Sequence, residues 1–207
     1  MIFLKWVEFA GFIPNFDPEM AFEADGNSHV AESAMHSSIN HNLMKILDQK
    51  QIQQKIKRLA IEILESNFEE KELILAGINT TGLGFARMLH GELTSITAIP
   101  ITLTRIRINP AAPLSQEIRI ELPPEQLEGK AIIITDDVAN TGRTLFYAMK
   151  PILSVLPRKV EIAVLVDRTH KSFPVKVDYF GLSLATTLMD NIDVQILDVE
   201  EQAVFLN

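Results

Sequence analysis

The chain has no cysteine in its 207 residues, which excludes disulfides, thiolate metal sites and cysteine nucleophiles. It also lacks any uninterrupted apolar run near the ~18 residues of a membrane-spanning helix. The apolar start MIFLKWVEFAGFI is broken by Lys5 and Glu8. No basic segment precedes it and no small-x-small cleavage pattern follows, so it does not read as a signal peptide. A soluble, cytoplasmic protein without membrane contact is the expectation. A cationic balance is missing too, since the net charge is −8. Residues 1–43 hold one base, Lys5, against six acids (Glu8, Asp17, Glu19, Glu23, Asp25 and Glu32), a balance of −5 that leaves −3 for the rest. No global charge advertises a nucleic-acid binder, although a local basic face stays open. No internal repeat is visible.

What is present divides near Met44. The first 43 residues hold five of the eleven Phe, the one Trp and three of the five His. Their apolar periodicity is weak, and GNSHVAESAMHSSINHN reads as irregular. We expect residues 1–43 to be an extension, irregular or outside the native protein, and residues 44–207 to be the domain proper. From Met44 the text is regular. Asp48 and Gln51 form a capping-box pattern ahead of Ile52, Ile56, Leu59 and Ile63 on one helical face. ELILAGI (72–78) reads as a buried strand, TTGLGFARMLHGEL (81–94) as a helix and SITAIPITLTRIRI (95–108) as a strand towards its end. NPAAPLSQ (109–116) is a Pro-rich loop and EIRIEL (117–122) alternates again. KAIIITDDV (130–138) is a buried strand, TGRTLFYAMKPILSVL (141–156) a helix with a break at Lys150-Pro151, and KVEIAVLVDR (159–168) a strand. VDYFGLSL (177–184) and DVQILDV (193–199) are further strand candidates. Strands alternating with helices imply an α/β fold with a parallel sheet covered on both faces.

The stretch IIITDDVANTGRT (132–144) concentrates the chemistry. An apolar strand ends in two carboxylates, Asp136 and Asp137, at the end where open parallel sheets seat ligands. Thr141-Gly142-Arg143-Thr144 then opens a helix, where free N–H groups, the helix dipole and threonine hydroxyls suit a phosphate. Gly142 lets the backbone come close. A bare pair of aspartates would be only a solvated strand end, and a bare TGxT only a cap. The two together suit a sugar phosphate, with or without bound Mg²⁺. Two other motifs fail. Gly77-x₄-Gly82 lacks the Lys-Ser/Thr of a Walker loop, and Gly82-Leu-Gly84 has Arg87 where a dinucleotide fingerprint needs a small residue.

Ile132–Thr144 resembles the phosphoribosyl-pyrophosphate (PRPP) signature of type I phosphoribosyltransferases. AVLVDRTHKSFPVKVDYFG (163–181), GINTTG (77–82), ITLTR (101–105) and ILDQKQIQQKIKRLAIEI (46–63) resemble the PyrR group of that family, regulators of pyrimidine operons that are also uracil phosphoribosyltransferases. The likeness covers residues 44–207. It implies a central parallel sheet flanked by helices with a small hood. It also implies transfer from PRPP to uracil, giving UMP and pyrophosphate with Mg²⁺. Asp136 and Asp137 would face the ribose hydroxyls and meet the metal only through PRPP. Ala139, Asn140, Thr141, Gly142, Arg143 and Thr144 would wrap the 5′-phosphate. Ile78, Asn79, Thr80, Thr81 and Gly82 would form the pyrophosphate turn, and Val166, Asp167, Arg168 and His170 would sit by the base. Arg105 would act as a catalytic cation. A homodimer or larger assembly, and a pyrimidine leader RNA as partner, are further implications.

The sequence departs from that pattern in two places. The 78–82 turn carries no charge, where the PyrR group has basic residues, and the loop between Arg107 and Glu117 is short and Pro-containing. Arg105 and Arg107 are either loop cations for pyrophosphate or the solvent face of an alternating strand. A binding domain that senses PRPP or UMP with little turnover, or a transferase for another base such as a purine, is the competing reading. Lys50, Lys55, Lys57 and Arg58 make the densest basic run, which a solvated helix face would also explain.

Overall fold

A computed structural model describes residues 43–185 and 190–207. The expectation of an extension before residue 44 lies outside the described residues, Leu43 excepted. The chain enters through a short strand, β1 (Met44–Leu47), which periodicity did not announce. Asp48 then caps α1 (Gln49–Ser66). Its carboxylate accepts from the Gln51 N–H at 2.8 Å, and the Gln51 side-chain oxygen accepts from the Asp48 N–H at 2.9 Å. The reciprocal pair is the expected capping box. Ile52, Ile56, Leu59 and Ile63 are all buried along one face.

Six strands build the main sheet. These are β2 (Leu73–Ile78), β3 (Ile101–Arg107), β4 (Arg119–Ile120), β5 (Ala131–Ala139), β6 (Lys159–Arg168) and β7 (Tyr179–Leu184), in the order β4-β3-β2-β5-β6-β7. All are parallel except the edge strand β4. A strand covered on both faces reads as a continuous apolar run, and LILAGI of β2 is buried throughout. Leu73, Leu75, Ile133, Ala163 and Leu165 pack under α1 and α2 (Asn79–Ile96). Ile74, Ala76, Ile132, Ile134 and Val164 face the other layer, where α3 (Arg143–Ala148) contributes Leu145 and Ala148. A second, antiparallel sheet joins β1 to β9 (Ala203–Leu206) and β9 to β8 (Ile192–Gln195), in the order β1-β9-β8. This is the small hood.

Several elements are shorter than their sequence patterns. The helix expected over 141–156 stops at Ala148, a 3₁₀ turn follows at Ile152–Ser154, and Pro151 stands between them. The break lies where a proline removes a donor and crowds the preceding turn. The alternation of 117–122 yields only β4, because its register with β3 covers just Ile106 and Arg107 before the chain runs into Pro123-Pro124. The strand expected over 193–199 ends at Gln195, and Asp198 beyond it takes a left-handed φ of 53°. Its pairing partner β9 is four residues long.

Candidate active site

β5 lies between β2 and β6 and projects beyond its neighbour β2, whose pairing with it ends at Gly77↔Thr135. Asp136 and Asp137 stand on that projecting part. Asp136 is 8% exposed, Asp137 half-buried, and the Asp137 N–H donates to Asp136 Oδ1 at 3.1 Å. Burial, and then the Asp137 charge beside it, hold the Asp136 carboxyl well above the usual carboxylate range. A small cleft of about 50 Å³ lies between Asp136 and the segment 138–145.

The loop from β5 to α3 owes its shape to Gly142, whose φ is 82°. A side chain there would be strained whatever the space. A Cβ would also approach Val175 Cβ to 3.3 Å. The Thr141 carbonyl accepts from the N–H groups of Ser172 and Phe173, at 3.0 and 3.2 Å, which ties the loop to the segment after β6. Asn140 and Thr141 are exposed. The Arg143 side chain turns to the Pro110 carbonyl in the β3–β4 loop, at 2.8 Å.

The turn expected at 78–82 is tighter than the sequence suggested. Ile78 ends β2 and Asn79 begins α2, with no residue between them. Asn79 makes the junction in the left-handed region, with φ 50°. Its side chain donates to the Ile108 carbonyl at 2.9 Å and accepts from the Ile108 N–H at 3.1 Å. Thr80 and Thr81 are exposed in the first turn of α2, and no charged group lies among residues 78–82. Gly82 presses on β5, where a Cβ would lie 2.5 Å from the Thr135 carbonyl oxygen and 3.2 Å from Asp136 Oδ1. The Thr135 hydroxyl donates to the Gly82 carbonyl at 3.0 Å. The uncharged turn and Asp136 are therefore direct neighbours.

Ile101 and Leu103 pack against the core under α1 and α2. Strand alternation puts Arg105 and Arg107 on the same side, beyond the start of α2. Arg105 pairs in register with Gly77. Both guanidinium groups end on Glu121. Arg105 donates from Nε and Nη2 at 2.9 and 2.7 Å, and Arg107 from the same two atoms at 3.1 and 2.7 Å, all to Oε1. A cavity of about 340 Å³ beside Arg107 is also lined by Asn79, Asn109 and Gln116 among others.

Of the residues expected beside a base, Val166 is buried in the sheet and His170 is exposed. Arg168 reaches the Asn140 side-chain oxygen at 2.8 Å. Asp167 pairs with Lys171, whose ammonium also donates to the Arg168 carbonyl and, at 3.3 Å, to the Ala139 carbonyl. Lys171 thus joins the end of β6 to the end of β5. Neither it nor Glu121 was singled out in the sequence. The one available sign was the i, i+4 spacing of Asp167 and Lys171, an ordinary pattern on any surface. Among the described residues no group of three or more metal-ligating side chains converges.

The phosphoribosyl transferase domain family matches residues 43–202. The chain is 32% identical over 161 residues to the bifunctional protein PyrR of Streptococcus uberis, covering 75% of this chain and 91% of that protein. It is 33% identical over 174 residues to the bifunctional protein PyrR of Listeria monocytogenes, covering 78% and 95%. Among solved structures it is similar to the hypoxanthine phosphoribosyltransferase of Trypanosoma cruzi, with TM-score 0.63 and 19% identity over 78% of this chain and 94% of that one. A hypoxanthine-guanine phosphoribosyltransferase from Bacillus anthracis gives TM-score 0.57 and 20% identity over 68% and 81%. These two likenesses are of fold. A parallel sheet with an acid pair and glycine-turned loop at its carboxyl edge, carried by a sequence with these relatives, has one placement: the chain belongs to the type I phosphoribosyltransferase family.

Proposed function

We propose that the protein transfers the phosphoribosyl group of PRPP to uracil, giving UMP and pyrophosphate. The observation that carries this reading is the junction of β5 and α3. There a buried strand carries Asp136 and Asp137 near its end, beside a cleft whose backbone is turned by Gly142. The bond from the anomeric carbon to pyrophosphate breaks, a bond to uracil N1 forms, and the N1 proton leaves. Because the protein supplies no nucleophile, its work is positioning and charge stabilisation. Asp136 and Asp137 take the ribose hydroxyls and steady the positive charge that develops on the ring. Residues 139–144 hold the 5′-phosphate through backbone N–H groups and hydroxyls. The end of β6, with Asp167, Arg168 and His170, borders the base. Lys171 keeps that border and the phosphate loop in register.

Two carboxylates beside ribose hydroxyls fit Mg²⁺ arriving with PRPP, since that ion keeps much of its water and favours substrate oxygens. When bound, it would neutralise part of the pyrophosphate charge. The PyrR relatives favour uracil as acceptor. The experiment is product formation by the full chain with Mg²⁺, PRPP and labelled uracil, with hypoxanthine in parallel. UMP formation supports the reading, and preferential IMP formation would move the acceptor to a purine.

A second reading is favoured by the β2–α2 junction. Asn79 is bonded to Ile108, both arginines of the neighbouring strand end on Glu121, and residues 78–82 carry no charge of their own. Losing such stabilisation of a leaving group typically costs ~10²–10³ in rate. A sensor that binds PRPP or UMP and acts through a pyrimidine leader RNA would tolerate that cost. Binding of UMP without turnover, together with salt-dependent RNA binding, would select it.

A further inference from the structure

The Arg105–Arg107–Glu121 cluster is unbalanced. Four N–H donors converge on one carboxylate oxygen, while Glu121 Oε2 takes none of those bonds. Two positive charges face one negative charge. The side chains are 27%, 60% and 44% exposed for Arg105, Arg107 and Glu121, so water screens the pairs and weakens them. The Glu121 backbone is fixed separately, because its N–H donates to the Arg105 carbonyl at 3.0 Å. The carboxylate can therefore leave without opening the hairpin. The cavity that Arg107 shares with Asn79 borders the first residue of α2, where backbone N–H groups already favour an anion.

We propose that Glu121 is an internal counter-anion, a latch that occupies Arg105 and Arg107 until a pyrophosphate group displaces it and recruits both guanidiniums to the uncharged β2–α2 turn. This rests on the proposed transferase or PRPP-binding reading. The cations missing from residues 78–82 are supplied from the neighbouring strand, in a form that Glu121 neutralises. A polyanion carrying three or four charges outcompetes a single exposed carboxylate for two arginines, and planar guanidinium forks match its oxygens.

The test is calorimetric titration of inorganic pyrophosphate into the full chain and its variants, with UMP formation from PRPP and uracil and UMP binding measured on the same samples. Glu121→Gln should bind pyrophosphate about three- to fivefold more tightly, the scale expected when an exposed pair is released. Arg105→Gln/Arg107→Gln should bind it at least about tenfold more weakly, and adding Glu121→Gln to that double variant should restore nothing. The salt dependence of binding should become shallower when the arginines are removed. Thermal melting of each variant identifies any that fails to fold, and Glu121→Asp, a shorter carboxylate, serves as a second probe with an intermediate affinity expected. Unchanged or weaker pyrophosphate binding by folded Glu121→Gln, in protein whose wild type makes UMP or binds it, overturns the latch and leaves the functional reading standing. Protein that binds neither pyrophosphate nor UMP overturns both.

Discussion

The loop after β5 and the junction after β2 both end a buried strand at the same edge of the sheet and open a helix there. After β5 three residues intervene, and Gly142 takes the left-handed conformation. After β2 none intervenes, and Asn79, which does have a side chain, takes it. In the first case the unusual φ frees backbone beside a cleft. In the second the side chain that accompanies it is committed to Ile108, bracing β3 against α2. One left-handed residue therefore turns a loop beside a cleft and the other locks two elements together. The first carries its acids in place, whereas the second borrows any cation from a neighbouring strand.

The strongest way to break this comparison is at the acids. Asp137→Asn should weaken PRPP binding and lower transfer by at least ~10² while the fold persists, the scale of losing one electrostatic contact to a transition state. Unchanged PRPP affinity, measured by calorimetry, would remove the acid pair from the ribose site. Next in size is the contrast between Gly142→Ala and Asn79→Gly. The alanine must adopt a left-handed φ, costing ~1–2 kcal/mol, and crowd Val175. We expect reduced PRPP affinity together with a lower melting temperature. Asn79→Gly relieves φ but loses both bonds to Ile108, costing about 1–2 kcal/mol of stability and leaving 5′-phosphate binding intact. Equal effects of the two variants on ribose-5-phosphate binding would dissolve the distinction.

The smallest effect runs the other way. The Asp136 carboxyl is held above its unfolded range, so its contribution favours folding below the ordinary Asp range and is lost as pH rises towards the folded value. Asp136→Asn should therefore stabilise the ligand-free protein at neutral pH, raising its melting temperature by roughly 2–4 °C per kcal/mol relieved. That gain should shrink as pH falls towards 4. Melting curves at two pH values decide it, and a variant less stable than wild type at pH 7.5 would contradict the assigned cause.

Much of this was legible in the sequence because it is local or periodic. The α1 capping box, its buried isoleucines and the apolar runs of β2 and β5 each follow from spacing alone. The Asp136–Thr144 stretch announced itself because chemistry and turn geometry share thirteen consecutive residues from Ile132. Strands β1 and β9, of four residues each, did not. Such short strands owe their existence to partners distant in the chain rather than to propensity. The same holds for side chains. Nothing in the text links Glu121 to Arg105, or Lys171 to the carbonyl of Ala139, until the fold puts them in reach.

The hood has a consequence for synthesis. Among the described residues β1 pairs with β9, and the whole six-stranded sheet lies between them in the chain. On a ribosome the main sheet can assemble as its strands emerge, β3 and β4 on one side of β2 and β5, β6 and β7 on the other, while β1 waits with an open edge. Closure of the hood then reports that translation has passed residue 206, so a truncated product would carry an exposed strand that quality control can recognise.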